Sequence, residues 1–267
     1  MFSFYSNSKQ KSERASKLAA VSTWWCYYGA DSGVLSTGYD MYVLEPDAIG
    51  DLDVEKKKGA LCLAYLSIGE LDAGRDSSQS LLDEDFIIEP NPDWEGALLV
   101  DIRSAKWHQF VLKSARDRLE CGYDGFFLDT IDTVETLLNK DPVMFKDIGK
   151  RAVALVKSIR KKNPAAIIIS NGGGALAEEL SPYIDAWCIE SVEHTYDFQK
   201  KIYSRHDDDS QQWIDMRIRT LKDTGLPVFA LDYSDNAESL KVITSLLRAR
   251  ALIPSASSID LQQLLPE

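Results

Sequence analysis

Short, continuously apolar segments recur along the chain at roughly regular spacing. Such runs are typical of strands that are covered on both faces, as in parallel sheets. Eight of them predict strands, over residues 23–30, 39–46, 60–70, 97–103, 125–130, 165–173, 185–191 and 227–234.

Apolar residues at three- and four-residue steps fill several of the gaps and predict helices. Residues 105–120 and 144–160 show this spacing, and shorter examples follow near 214–221 and 240–247. Strands and helices that alternate in this way predict an α/β fold, a (β/α)8 TIM barrel. A doubly wound open sheet is the alternative.

The chain has 267 residues, close to the length of about 250 at which such barrels form one domain. We predict a polar N-terminal leader over residues 1–20 and a single TIM-barrel domain over residues 21–267. The tail at 253–264 is predicted to pack across the outside or one end of the barrel.

The formal net charge of −12 argues against a nucleic-acid partner, which requires clustered Lys and Arg. A neutral or cationic ligand fits better, although an acidic, solvated surface would account for the same charge. No apolar run is long enough to predict a membrane span. The polar start lacks the apolar centre of a signal peptide. The protein is therefore expected to be cytoplasmic, or extracellular if a leader has been removed.

Polar side chains collect at the carboxyl ends of the predicted strands, where barrels of this kind build active sites. Asp129 follows an apolar run directly, and Glu190 does the same after "AWCI". Both are therefore candidates for chemistry. For Asp31, Asp47, Asp72 and Asp132, capping of the next helix is an equally good interpretation.

The strand ends lack the residues that several other classes of enzyme reaction require. The chain has three histidines, too poorly placed for a zinc site, so neither a metal nor another cofactor is predicted. A strand-end Lys for Schiff-base chemistry and a paired Ser and His are also missing. The run "NGGG" at 171–174 could cradle a phosphate or simply allow a tight turn.

A rim of carboxylates and aromatic side chains remains, and it suits the cleavage of glycosides. That reaction uses two carboxyl groups, one as acid and one as nucleophile or base. Asp129 and Glu190 lie on predicted strands five and seven, with one strand between them, so they can flank a common pocket.

Six motifs, in order, resemble glycoside hydrolase family 114, the endo-α-1,4-polygalactosaminidases, over residues 23–262. They are "YDMYVLEPD", "LAYLSIGE", "GYDGFFLDTID", "SNGG", "WCIES" and "FALDYSD". The resemblance implies a (β/α)8 fold and hydrolysis of α-1,4 bonds in galactosamine-rich polysaccharide.

The resemblance also implies roles for individual residues. Asp129 corresponds to the nucleophile-type Asp and Glu190 to the general acid/base. Contact with substrate is expected, from the resemblance or from position at a strand end, for Asp31, Tyr65, Glu70, Asp101, Asn171, Asp232 and Tyr233. A sugar-binding barrel without turnover and a hydrolase of another α-glycan are the alternative functions.

Overall fold

The computed structural model describes residues 2–50, 52 and 59–262. Its centre is a sheet of eight parallel strands. Numbered in chain order among all strands, they are β1 (Trp24–Tyr27), β2 (Met41–Leu44), β3 (Leu61–Ser67), β7 (Gly125–Asp129), β8 (Ile167–Asn171), β9 (Ala186–Glu190), β12 (Val228–Tyr233) and β13 (Ile253–Ser257). The predicted parallel barrel is confirmed.

The barrel is nearly closed. Its first and last strands, β1 and β13, meet at a seam, where the indole N–H of Trp24 donates to the carbonyl of Ile253 at 3.0 Å. Just beyond the strand ends, the amide of Tyr28 donates to the carbonyl of Leu261 at 2.8 Å. The two ends of the sheet are therefore joined, and this distinguishes the fold from a doubly wound open sheet.

Helices flank the barrel. They are α1 (Phe2–Ala19), α2 (Pro46–Ile49), α3 (Ala105–Glu120), α4 (Thr133–Lys140), α5 (Ile148–Lys162), α6 (Ala177–Leu180), α7 (Asp208–Asp223) and α8 (Ala237–Ala249). Short 3-10 helices cover Ser32–Ser36, Asp76–Leu81 and Gly174–Leu176. The helical periodicity at 105–120 and 144–160 therefore predicted α3 and most of α5.

Two smaller sheets extend from the carboxyl ends of barrel strands. A three-stranded antiparallel sheet follows β3 and consists of β4 (Glu70–Asp72), β5 (Ile87–Pro90) and β6 (Ala97–Val100). A hairpin of β10 (His194–Asp197) and β11 (Ile202–Arg205) follows β9. Both lie in chain segments that lead from one barrel strand to the next.

Two of the strand assignments were wrong. The run at 97–103 contains β6, which pairs antiparallel with β4 and β5 outside the barrel. The eighth barrel strand is instead β13, within the tail that was predicted to pack outside. Small buried serines supply part of β13, so it shows no apolar run. Consequently β7 and β9 are the fourth and sixth barrel strands, not the fifth and seventh.

The strands alternate between two apolar regions. Phe126 and Leu128 of β7 point outward into a core shared with the helices. Phe127, between them, points into the barrel and packs with inward residues of the other strands. Side chains on successive residues of a strand face opposite sides. The outward residues of β1 and β2 pack in a separate cluster that includes Trp25 and Tyr42.

The segment at residues 1–20, interpreted as a polar leader, contains α1. Leu18 of this helix is buried and Arg14 forms an ion pair with Asp185 at 2.8 Å. Its separation from a domain at 21–267 stays a prediction. Met1 and, within that range, residues 51, 53–58 and 263–267 lie outside the described residues.

Candidate active site

The alternation of the barrel strands determines which strand-end side chains face the interior at the carboxyl-terminal mouth. Phe127 packs inside the barrel, so Asp129, two positions later, faces the same way. On seven of the barrel strands, the residue two positions after an inward-facing apolar residue also faces the interior. These seven residues are Tyr28, Glu45, Tyr65, Asp129, Asn171, Glu190 and Tyr233, and all of them line one cavity of about 840 Å³.

Asp129 and Glu190 share one hydrogen-bond donor. Nδ2 of Asn171, on the strand between them, donates to Asp129 Oδ1 at 2.8 Å and to Glu190 Oε1 at 2.5 Å. The two oxygens therefore lie at most about 5.3 Å apart, the sum of these distances. The hydroxyl of Tyr233 donates to the other oxygen, Glu190 Oε2, at 2.5 Å. The two acids thus face a common space, with one strand between them.

Burial is the main cause that raises the pKa of both acids. For Glu190, burial and then the negative charge of Asp129 raise the pKa to about 7, against the donors Tyr233 and Asn171. For Asp129, burial raises the pKa, while hydrogen bonds from Asn171, the Thr130 backbone and Tyr65 lower it. Asp129 receives more donors, so the proton that the pair holds resides mainly on Glu190.

The chain turns sharply after each of these acids. Thr130 and Ser191 have φ of 61° and 52°, the left-handed region that side chains other than glycine rarely adopt. The hydroxyl of Thr130 accepts from the amide of Gly69 at 2.8 Å. A Cβ on Gly69 would lie 2.3 Å from the carbonyl oxygen of Thr130. Close backbone contact between the ends of β3 and β7 therefore fixes the end of the Asp129 strand.

The glycine run after β8 forms a tight turn. Gly172 and Gly173 have φ of 72° and 81°, and a Cβ on Gly172 would lie 2.1 Å from Asp132 Oδ2. The amide of Gly173 donates to Asp132 Oδ1 at 2.7 Å, and Arg217 pairs with the same carboxylate at 3.2 Å. Asp132 occupies the capping position of α4 without a side-chain capping bond. It holds the turn in place instead.

Glu70 lies in the wall of the cavity, at the first residue of β4. Its carboxylate accepts from Nδ2 of Asn91, at 3.0 Å to each oxygen, and from the hydroxyl of Thr133 at 3.1 Å. Burial raises the pKa of Glu70, against these donors. This carboxylate joins the barrel to the three-stranded sheet.

Four of the seven predicted substrate contacts line the cavity: Tyr65, Glu70, Asn171 and Tyr233. Asp31, Asp101 and Asp232 are not among its lining residues. The exposed Asp31 caps a 3-10 helix through the amide of Gly33. Asp101 pairs with Arg103 at 2.7 Å.

Asp232 is buried on the outward side of β12. Its carboxylate accepts from the backbone amides of Val192, Glu193 and His194, which follow directly after the Glu190 strand. It therefore holds the loop after Glu190. The alternation along β12 turns Tyr233 inward and Asp232 outward, and contact of Asp232 with substrate stays a prediction.

Two chain segments extend the cavity beyond the strand ends, and sequence reasoning missed them. The turn between β5 and β6 contributes Asn91 and Trp94, and the β10–β11 hairpin contributes Tyr196 and Phe198. Asn91 and Trp94 lie far from any barrel strand in sequence, whereas Tyr196 and Phe198 follow β9 by only a few residues. The one signal is the polar and aromatic turn "NPDWEG" at 91–96.

The cavity is acidic. Its lining includes nine carboxylates, namely Glu45, Glu70, Asp72, Asp93, Glu95, Asp129, Asp132, Glu190 and Asp260, and three arginines, Arg75, Arg118 and Arg217. Each arginine already forms an ion pair, with Glu45, Asp47 and Asp132, respectively. The acids are therefore in excess at the site, which attracts cationic groups.

Within residues 2–50, 52 and 59–262, no group of three His, Cys, Asp or Glu side chains is arranged to hold a metal ion. Over the same residues, no helix is both long and apolar enough to span a bilayer.

The fold is similar to that of solved glycoside hydrolases. The glycoside hydrolase domain of PelA from Pseudomonas aeruginosa matches with a TM-score of 0.82 and 22% identity, over 92% of this chain and 98% of that one. Ega3 from Aspergillus fumigatus, solved in complex with galactosamine, matches with a TM-score of 0.67 and 16% identity, over 91% and 94%.

Sequence relatives and the family model place the chain more closely. An uncharacterized protein of Thermotoga maritima is 20% identical, over 86% of this chain and 77% of its own length. One of Deinococcus radiodurans is 24% identical, over 78% and 67%. The model of glycoside-hydrolase family GH114 matches residues 6–259. The resemblance seen in the sequence is confirmed, and the chain belongs to glycoside-hydrolase family GH114.

Proposed function

We propose that this protein hydrolyses α-1,4-linked, galactosamine-containing polysaccharide with Asp129 and Glu190 as its catalytic pair. The observation that carries the proposal is the pair itself, two carboxylates bridged by the amide of Asn171 at the base of one cavity. Glycoside cleavage uses two such groups in different protonation states.

In the proposed first step, Asp129 attacks the anomeric carbon while Glu190 protonates the leaving glycosidic oxygen. A glycosyl ester on Asp129 results, and the shortened polymer leaves with the proton from Glu190. Glu190 then takes a proton from water, the resulting nucleophile attacks the anomeric carbon, and Asp129 is released. Each residue is restored at the end of the cycle.

The spacing of the pair supports retention of anomeric configuration. Retaining glycosidases hold their carboxyl groups about 5–5.5 Å apart, whereas inverting ones need about 6.5–9.5 Å to admit a water molecule. The bound of about 5.3 Å between the oxygens that share Asn171 Nδ2 favours the shorter class.

The charge of the cavity supports an amino sugar as substrate. Deacetylated galactosamine carries an ammonium group, which the excess of carboxylates along the cavity would attract. Ega3, which shares the fold, was solved in complex with galactosamine. Carbohydrate, rather than a protein or nucleic acid, is therefore the proposed partner.

The test is hydrolysis of α-1,4-galactosamine oligomers, their N-acetylated forms and neutral α-1,4-glucans, with products identified by mass spectrometry. We expect the wild type to cleave the amino-sugar oligomers, and Asp129→Asn and Glu190→Gln to lose that activity. Asp83→Asn is the matched control, because Asp83 is exposed and outside the cavity lining. Binding without cleavage by the wild type would identify a sugar-binding barrel. Preferential cleavage of the neutral glucan would identify another α-glycan hydrolase.

A further inference from the structure

The two segments beyond the strand ends meet at the mouth of the cavity. Trp94, in the turn between β5 and β6, contacts Phe198 at the tip of the β10–β11 hairpin, with ring centroids 5.1 Å apart and planes at 65°. Phe198 also contacts Tyr196, at 5.0 Å and 87°. All three rings line the cavity that contains Asp129 and Glu190.

These rings differ in exposure from the aromatic residues of the barrel. Trp94 is 51% exposed and Phe198 is 39% exposed, whereas Trp24 inside the barrel is 1% exposed. An exposed aromatic cluster at the edge of a cavity commonly marks a binding surface. The edge-to-face contact leaves much of the Trp94 surface open to solvent, so a flat ligand can pack against it.

The turn that carries Trp94 is held in place by hydrogen bonds. Oδ1 of Asn91 accepts from the amides of Asp93 at 2.8 Å and Trp94 at 3.3 Å. Nδ2 of the same Asn91 donates to Glu70 in the cavity wall. Trp94 is therefore positioned through Asn91 relative to the catalytic part of the cavity, which lowers the cost of ordering it on binding.

Two carboxylates flank this indole. Asp93 and Glu95 are both exposed and both line the cavity. A ring face suits the apolar side of a sugar ring, and carboxylates beside it suit an ammonium group. A neutral sugar would need only the aromatic ring, so an aromatic ring flanked by two carboxylates favours an amino sugar.

We propose that Trp94 and Phe198, with Asp93 and Glu95, form an outer subsite that binds an amino-sugar ring of the same polymer, beyond the ring that is cleaved. This inference rests on the proposed function and extends it to the length of chain that the cavity recognises. The rings pack against the pyranose, and the two carboxylates pair with its ammonium group. The subsite makes longer oligomers bind more tightly than short ones.

The test measures dissociation constants for α-1,4-galactosamine oligomers of increasing length, in a Glu190→Gln background that prevents turnover. In that background we expect affinity to rise once an oligomer reaches the subsite. Trp94→Ala should reduce this gain by about threefold to tenfold, the range of one aromatic contact. Trp94→Tyr should restore most of it. Met144→Ala is the control, since Met144 is exposed but outside the cavity lining.

The contribution of the two carboxylates, Asp93 and Glu95, is measured separately. Asp93→Asn with Glu95→Gln should remove the part of the gain that depends on free amino groups, so that N-acetylated and deacetylated oligomers bind alike at this subsite. Near-identical melting temperatures of the variants would show that folding is unaffected.

Two failures can be distinguished. If Trp94→Ala keeps the full gain with length while the wild type still cleaves the oligomers, the subsite is wrong and the proposed function stands. If the wild type neither binds nor cleaves galactosamine oligomers, the proposed function fails and the subsite fails with it.

Discussion

Strand β9 has a carboxylate at each end, and the two have opposite surroundings. Asp185 precedes its first residue and is 9% exposed. It forms ion pairs with Arg14 and Arg160 and accepts from the amide of Ile168. Glu190, the last residue of the strand, receives its hydrogen bonds from the neutral side chains of Asn171 and Tyr233 and faces Asp129.

The difference between the two ends separates stability from chemistry. A buried carboxylate that is paired with cations ties chain segments together. A carboxylate without such pairing, beside a second acid, holds its proton to a higher pH and can transfer it. In these barrels the amino-terminal face generally serves stability and the carboxyl-terminal face catalysis, and the two ends of β9, from Asp185 to Glu190, show both.

The largest expected effect is on turnover at the carboxyl-terminal end. Glu190→Gln should lower kcat/KM for galactosamine oligomers by about 10²–10⁴-fold, the range for loss of a proton-transfer group. Asp129→Asn removes the nucleophile and should lower kcat/KM at least as much. Neither should lower the free energy of unfolding, because each removes one of two mutually repelling acids. Steady-state kinetics and urea unfolding measure the two quantities. A variant that loses stability but keeps its turnover would reverse the assignment of this end.

The opposite result is expected at the amino-terminal end. Asp185→Ala should lower the free energy of unfolding by about 3–5 kcal/mol, because Arg14 and Arg160 are left without their shared partner. Its kcat/KM, measured well below the melting temperature, should stay near the wild-type value. Asp117→Ala is the control, since the pair of Asp117 with Lys113 is more exposed and contributes little. An unchanged urea midpoint for Asp185→Ala would contradict the comparison.

Glu190 should make both stability and turnover depend on pH. Its pKa is raised from an ordinary value of 4.5 to about 7, so the native state holds this proton to a higher pH than the unfolded chain does. Stability from this group is full below about pH 4.5 and is lost as the pH rises through about 7. Likewise kcat/KM should fall as the pH rises through about 7. Glu190→Gln should remove this part of the stability profile, and an unaltered profile would show that another group titrates.

A smaller effect is expected from Tyr233→Phe. The hydroxyl of Tyr233 favours the charged form of Glu190, so its removal should raise the pKa of Glu190 further and move the upper limb of the kcat/KM profile to higher pH. Turnover should fall by about tenfold, the order of one hydrogen bond to a charged group. A shift of that limb to lower pH would contradict the proposed role.

Much of the cavity base was readable from the sequence, because it follows from alternation. Asp129, Asn171 and Glu190 occupy the last inward position of neighbouring strands. The same alternation places Tyr233 inward and Asp232 outward, once one inward residue of β12 is known. The sequence does not show which residues of β12 face inward, since both side chains follow a continuously apolar run.

The remainder depends on contacts between distant segments. The apolar run that contains Ala97–Val100 resembles a barrel strand, yet its partners are β4 and β5. Ile253–Ser257 completes the barrel with small serines that carry no hydrophobic signal. The contact of Trp94 with Phe198 joins residues about a hundred positions apart, so periodicity, which is a local signal, could not predict it.

The most direct test of the central claim, that Asp129 and Glu190 act as nucleophile and acid/base, is the configuration of the first product. Proton NMR of the newly formed reducing end, recorded before mutarotation, distinguishes the anomers. Two carboxylates bridged by one amide nitrogen predict that the wild type first releases the α-anomer from an α-1,4-galactosamine oligomer. First release of the β-anomer would show that water, and not Asp129, attacks the sugar.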